Sequence, residues 1–210
     1  MSTKQWMRVL QQGAFVLLAL FLFGCEIGSP SAKKVLLEAA KALDVNDAQA
    51  FLTCFDLKAC ATNEIKNLTE KNAALSTLDQ MGRTLGIGGM EDIIGNVFDM
   101  ERNLRQNFMR KVSTGVLAKE CSKSEISGCP WVSNALRQAE VKEDKRFKDC
   151  AVARVTTPTK LTTWLALAKF GKEWRIVGWA EMQDLAEKFA HQYVQSDGSE
   201  QKKNNTEMAI

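Results

Sequence analysis

The chain has 210 residues, a length that suits one globular domain of ordinary size. Its 28 basic and 25 acidic residues give a formal charge of +3, and hydrophobic residues make up 45% of the chain. So small a net charge gives no electrostatic argument for a nucleic-acid partner or for an anionic lipid surface, while the hydrophobic content allows a proper core. The composition therefore indicates a folded domain and argues against a nucleic-acid binder.

The start of the chain has the order of a secretory signal peptide. Lys4 and Arg8 give it a positive charge without acidic residues, and an apolar run from Gly13 to Phe23 follows. A membrane-spanning helix needs roughly 20 apolar residues, so this run is too short for one. We therefore predict a signal peptide over residues 1–24. Its removal lowers the number of basic residues from 28 to 26, against 25 acidic residues.

The leader ends at Leu22-Phe23-Gly24-Cys25, which resembles the lipobox of bacterial lipoproteins. The resemblance implies that the leader is cut before Cys25, that the Cys25 thiol is diacylated and that its new amine is acylated. Two or more acyl chains hold a protein firmly on a bilayer without a spanning helix. Because Glu26, and not aspartate, follows the cysteine, the resemblance implies the outer membrane, with the protein facing the periplasm. The alternative is an uncleaved anchor helix in which Cys25 is an incidental buried cysteine.

Five further cysteines are available for disulfide bonds. They are Cys54, Cys60, Cys121, Cys129 and Cys150. An oxidising envelope compartment favours such bonds, and an odd number leaves one cysteine free or paired with another chain. Proximity along the chain suggests that Cys54 pairs with Cys60 and that Cys121 pairs with Cys129. Spacing does not fix the connectivity, and Cys150 could capture one of the other four.

The first half of the chain beyond Cys25 has helical periodicity. A polar, lipidated tether at 25–31 precedes the helices, and a loop at 113–130, closed by Cys121 and Cys129, follows them. We expect Trp131 to anchor this loop to the core. The predicted helices cover Ala32–Leu43, Asp47–Phe55, 62–85 and Met90–Val112, with Asp47 as an N-cap and a glycine turn at Gly86–Gly89.

After Trp131 the pattern changes to short β segments. The pattern of Ala135–Val141 is weakly extended or helical, and a strand beginning near Arg137 is favoured. The sequence predicts further strands at Cys150–Thr157, Leu161–Phe170 and Trp174–Trp179, separated by polar turns. Such spacing favours an antiparallel meander. A final helix is predicted at Glu181–Val194, and the polar residues 195–210 are predicted to form a disordered tail.

The chain has helices first and then a meander, which ends in Lys-Glu-Trp-Arg-Ile-Val-Gly-Trp at residues 172–179. This order is similar to that of the NTF2-like (cystatin-like) superfamily. The chain resembles small bacterial lipoproteins of that group, through Ala32–Phe55 and Val141–Trp179. The resemblance implies one α+β domain over residues 32–194, in which helices pack on a curved antiparallel sheet, with a helical insertion at 62–130. It also implies a cone that can hold a small ligand. Arg154 is then the candidate ligand-facing cation, and the alternative is that Arg154 points to solvent.

Three functions follow from these features. The favoured one is a non-catalytic, membrane-anchored envelope lipoprotein that binds a protein, a peptide or an envelope component. The second is a small-molecule binder that uses the cone. An enzyme has the least support, since no nucleophile–base set or phosphate loop stands out and His191 and Tyr193 are expected at the surface. No C-x-x-C pair occurs and His191 is the single histidine, so we predict no metal site and no cofactor.

Overall fold

A computed structural model of the chain describes residues 31–71, 99–125 and 128–207, with side chains over 31–67, 99–125 and 128–195. The predicted signal peptide, Cys25 and the tether up to residue 30 lie outside the described residues. The glycine turn and those parts of two predicted helices that fall within 72–98 also lie outside them.

The described residues form seven helices and four strands. The helices are α1 (Ala32–Asp44), α2 (Ala48–Thr53), α3 (Leu57–Lys71), α4 (Met100–Ser113), α5 (Val116–Lys123), α6 (Ser133–Gln138) and α7 (Gln183–Glu207). The strands are β1 (Glu140–Glu143), β2 (Cys150–Thr156), β3 (Thr162–Phe170) and β4 (Glu173–Ala180). They make one open antiparallel sheet in the order β1-β2-β3-β4. The predicted α+β class and the predicted meander are therefore confirmed.

The sheet is buried on both faces, and the sequence of β3 shows how. Leu165 and Leu167 pack with the helices on one face, whereas Ala166 and Ala168 pack against α7 on the other. Successive side chains of a strand point to opposite faces, so this alternation divides the core into two layers. The face toward the first layer carries leucines in β3, and the face toward α7 carries alanines.

Two groups of helices cover these faces. On the first face, α1, α2, α4 and α6 contribute the larger core, in which Leu36, Phe51 and Leu136 are fully buried. On the second face, α7 contributes Phe189 and α3 contributes Ala59. Asp47 caps α2 as predicted, because its carboxylate accepts a hydrogen bond from the Ala50 N–H at 2.9 Å.

The free edge of β4 is covered by the junction between α2 and α3. Ile176 donates its N–H to the Cys54 carbonyl at 2.9 Å, and its own carbonyl accepts from the Asp56 N–H at 3.0 Å. An exposed strand edge is a template for pairing with another chain. At the centre of β4, the α2–α3 junction makes these edge hydrogen bonds in place of another chain.

A β-bulge in β4 brings α3 and α7 close to the sheet. Val177 has no partner in the register with β3, and its carbonyl accepts a hydrogen bond from Asn63 Nδ2 at 2.8 Å. A Cβ atom at Gly178 would lie 3.2 Å from atoms of both Asn63 and Phe189. Glycine is therefore needed at this position for both helices to pack as they do.

Two predictions about short segments are wrong. Residues 113–130 contain the helix α5 and are not only a loop. The strand favoured from near Arg137 starts only at Glu140, and the helical alternative for this segment holds through Gln138, in α6. Neither helix has a polar N-cap that would mark its start: Gly115, in a left-handed conformation, precedes α5, and Val132 precedes α6. Both helices are short, so burial of Leu117, Cys121 and Leu136 holds them, not intrinsic propensity.

Two predicted helix boundaries also change. Helix α3 starts at Leu57, ahead of residue 62, because Asp56 accepts a hydrogen bond from the Ala59 N–H at 2.9 Å. Helix α7 runs to Glu207, through most of the segment predicted to be a disordered tail. Adding residues to an existing helix costs much less than nucleating one, so the packed half of α7 can extend into a polar segment.

Candidate functional site

Aromatic side chains pack together where the helices meet the sheet. Five rings from three elements and two connecting segments make a continuous set of contacts, with centroids 4.9 to 6.3 Å apart. We call them the aromatic cluster: Phe51, Phe55, Phe108, Trp131 and Trp179. Several of these pairs are edge-to-face, a preferred geometry for aromatic rings. The predicted anchoring role of Trp131 is confirmed, since it is buried and contacts four of the rings.

Arg154 lies at the surface. Its side chain is 47% exposed and forms an ion pair with Glu140 at 3.7 Å. The two residues are opposite each other in the register of β1 and β2, in an open cleft that Gln138 and Thr156 also line. The solvent-facing alternative for Arg154 is therefore the one that the structure shows, and Arg154 does not point into the aromatic cluster.

Of the two expected disulfide bonds, one is present. Cys121, at the end of α5, is bonded to Cys129, just ahead of the buried Trp131. The expected bond between Cys54 and Cys60 is wrong, because both are free and buried. Their thiols point to different partners: Cys54 Sγ donates to the Ala50 carbonyl at 3.6 Å, and Cys60 Sγ donates to the Ile176 carbonyl at 3.3 Å.

The third free cysteine, Cys150, lies beneath a groove between the β1–β2 turn and α7. The groove has a volume of about 520 Å³, and Asp144, Phe147, Glu187 and His191 also line it. His191 Nε2 and Asp144 Oδ2 are 2.8 Å apart, and the Phe147 ring packs against the imidazole at a tilt of 46°, with centroids 4.7 Å apart. This groove therefore brings a thiol, an imidazole and a carboxylate into one region of the surface.

The carboxylate is held by backbone groups of its own turn. Asp144 Oδ1 accepts hydrogen bonds from the N–H of Arg146 at 2.6 Å and of Phe147 at 3.1 Å. These two N–H groups, and then the hydrogen bond with His191, lower the pKa of Asp144 to about 2. From the sequence, the stretch that contains Asp144 is predicted only as one of the polar turns between strands. The local signal is an aspartate before a tight turn, but its pairing with His191 on a distant helix has no local signal.

The thiol of Cys150 is not a nucleophile in this arrangement. It is buried and donates to the Ala190 carbonyl at 3.4 Å. Burial, and then the charges of Asp144 and Asp149, raise the pKa of Cys150 to about 11. A cysteine nucleophile reacts as a thiolate, which a lowered pKa favours. Because the pKa of Cys150 is raised, its thiol is protonated at neutral pH.

We predict that the three free cysteines are inert in the folded chain. Burial raises the pKa of Cys54 to about 12, with a contribution from Glu38, and raises that of Cys60 as well. In a Cys25→Ser chain, a thiol reagent at neutral pH should react with Cys54, Cys60 and Cys150 roughly a thousandfold more slowly than with an exposed cysteine. Three thiols per chain should appear on denaturation without a reductant. A single reactive thiol would show instead that Cys54 and Cys60 are bonded.

We also predict a pH effect centred on Asp144. Its pKa is lower in the folded chain than the ordinary value of 3.8, so its charge stabilises the fold at neutral pH and this contribution is lost as the pH falls from about 4 to about 2. Asp144→Asn should therefore reduce the loss of unfolding free energy on acidification, measured by urea denaturation. In His191→Gln the unfolding free energy should still fall on acidification by almost as much as in the wild-type chain, because the backbone N–H groups lower the pKa of Asp144 more than His191 does. Equal effects of the two variants would contradict this assignment.

Across the described ranges, no helix is long and apolar enough to cross a membrane. The same ranges contain no group of three or more His, Cys, Asp or Glu side chains placed to hold a metal ion. No protein-family model matches the chain, no curated protein matches it, and no solved structure matches it. Function is therefore inferred from the residues of this chain alone.

Proposed function

We propose that this protein is a lipoprotein of the bacterial cell envelope, anchored through an acylated Cys25 after removal of residues 1–24. It is held in the outer membrane, faces the periplasm, and binds a protein or another envelope component without catalysis. The observation that carries the proposal is the sequence Leu22-Phe23-Gly24-Cys25 at the end of a charged and then apolar leader. An acylated cysteine there is a firm anchor that needs no spanning helix.

Two features of the folded domain support this setting. The first is the bond between Cys121 and Cys129, since structural disulfides form and persist in oxidising compartments such as the periplasm. The second is the short distance along the chain from the anchor to the fold: helix α1 begins at Ala32, soon after Cys25. A domain attached this closely stays beside the bilayer, where an envelope partner is met.

The filled interior supports binding at the surface. We propose that the helices and meander form an NTF2-like domain whose cone is closed by the aromatic cluster. Small-molecule sites are concave and bury most of their ligand, and rings in mutual contact leave no such space between them. The small-molecule alternative, with Arg154 as the ligand-facing cation, therefore has less support than a surface that binds a partner.

A corner remote from the tether offers a surface for a protein partner. The turns that follow α1 and α4 are in contact, because the Asn46 side chain lies against Gly115. Each turn presents a valine to solvent, Val45 with 64% exposure and Val116 with 38%. Exposed apolar side chains that lie together are typical of interaction sites.

We predict that a clickable fatty acid supplied to growing cells labels the wild-type protein and not Cys25→Ser. The matched control is Cys150→Ser, which should keep the label because the buried Cys150 thiol has no access to an acyl donor. The mass of the mature chain should correspond to a start at Cys25 with its acyl groups. Label on Cys25→Ser, or a mature protein that retains residues 1–24, would overturn the proposal.

A further inference from the structure

Two turns meet at one end of the sheet. The β1–β2 turn covers residues 144–149 and the β3–β4 turn is centred on Gly171. The register pairs Cys150 with Ala168, so both turns emerge at the same end of the sheet. A hydrogen bond from the Lys169 N–H to the Asp149 carbonyl, 2.9 Å long, joins them directly.

Each turn presents one exposed phenylalanine among cations. Phe147 is 38% exposed and Phe170 is 42% exposed. Four cationic side chains beside them are also exposed: Lys145, Arg146, Lys148 and Lys172. Surfaces that lie in a membrane interface combine basic side chains with apolar aromatic ones in this way. The near-neutral total charge of the chain therefore hides a local basic and aromatic surface, which we call the turn surface.

The acidic side chains at this end are largely taken up by other partners. Asp144 contacts His191, Asp149 lies 3.9 Å from Lys169, and Glu173 lies 3.6 Å from Arg175. Glu38, which lines one cleft with Lys172, lies 3.6 Å from Lys34. Glu143, at the end of β1, is also exposed. The four cations of the turn surface form no ion pair with any residue that the structure describes. They are therefore available to an anionic partner outside the chain.

The chain enters the fold beside the turn surface. Ser31 and Lys34, at the start of α1, line one cleft of about 380 Å³ with Lys172 and Trp174. From Cys25 to Ser31 an extended chain can span at most about 20 Å. By contrast, Val45 follows the last residue of α1, roughly 20 Å further along that helix. The corner that exposes Val45 and Val116 is called the Val45 corner. An anchor at Cys25 would thus hold the turn surface near the bilayer and leave the Val45 corner facing away.

We propose that the turn surface rests on the bilayer that holds the acylated Cys25, with Phe147 and Phe170 in the interface and the four cations against anionic lipid headgroups. This inference depends on the proposed lipid anchor. The anchor supplies the affinity and the turn surface sets the orientation, so the Val45 corner is presented to partners in the periplasm. A bilayer fits this surface better than an acidic protein does, because the tether already places a bilayer within reach.

The test uses the acylated full chain in vesicles of phosphatidylcholine with about 30 mol % phosphatidylglycerol, some of which carries a photoactivatable headgroup. We expect lipid crosslinks in peptides that contain residues 145–148 and 170–172. Lys145→Gln with Arg146→Gln should lower their yield roughly tenfold, because each cation near an anionic bilayer adds several-fold to the occupancy. The matched control is Lys160→Gln, which removes an exposed cation from the β2–β3 turn at the opposite end of the sheet.

Three results would contradict the inference, and they are distinguishable. In the first, the chain floats with the vesicles in a density gradient while the crosslinks fall on residues 157–160 or are spread evenly. That result supports the anchor at Cys25 and contradicts the proposed orientation. If crosslinking in intact envelopes joins the turn surface to a protein and not to lipid, the assigned partner is wrong. If the chain does not float with the vesicles at all, the anchor at Cys25 fails and the orientation fails with it.

Discussion

The contact of Trp131 with the phenylalanines of α2 and α4 and with Trp179 of β4 is the interaction on which the rest of the fold depends. It joins segments that are far apart in the sequence and lies where the helical half of the chain meets the sheet. Large aromatic side chains bury more area than any others, so they dominate the energetics of a core of this size. The disulfide between Cys121 and Cys129 fixes the chain just before Trp131, and the α2–α3 junction that carries Phe55 also covers the edge of β4.

The surface of the domain is not uniform. One end of the sheet carries exposed phenylalanines and unpaired cations beside the point where the chain enters the fold, whereas the exposed valines lie beyond the far end of α1. The proposed anchor at Cys25 would give these two regions different environments, one near lipid and the other in the periplasm. The Cys150 groove, with its protonated thiol, adds no catalytic group to this account.

The elements with strong local patterns were predictable. β2, β3 and β4 have a two-residue alternation and clear turn residues, so their bounds agree with the predicted ones to within about one residue. Helices α5 and α6 were not predictable in this way, because neither begins at a polar cap and both depend on burial. The candidate site was even harder to predict from the sequence than these two helices. Asp144 and His191 are separated in the chain by β2, β3, β4 and the first two turns of α7. Cys54 and Cys60 are close in sequence but donate in different directions.

The rings of the aromatic cluster pack against one another and leave no room for a ligand between them. A titration of the folded chain with benzene and indole, monitored by ligand-observed NMR, tests this packing most directly. The same titration is made with Phe108→Ala, which removes one ring from the cluster. Circular dichroism would establish that the variant is folded. An engineered apolar cavity of this kind binds small aromatic molecules. The account predicts no saturable binding to the wild-type chain and binding to Phe108→Ala. Saturable binding to the wild-type chain, unchanged by Phe108→Ala, would contradict it.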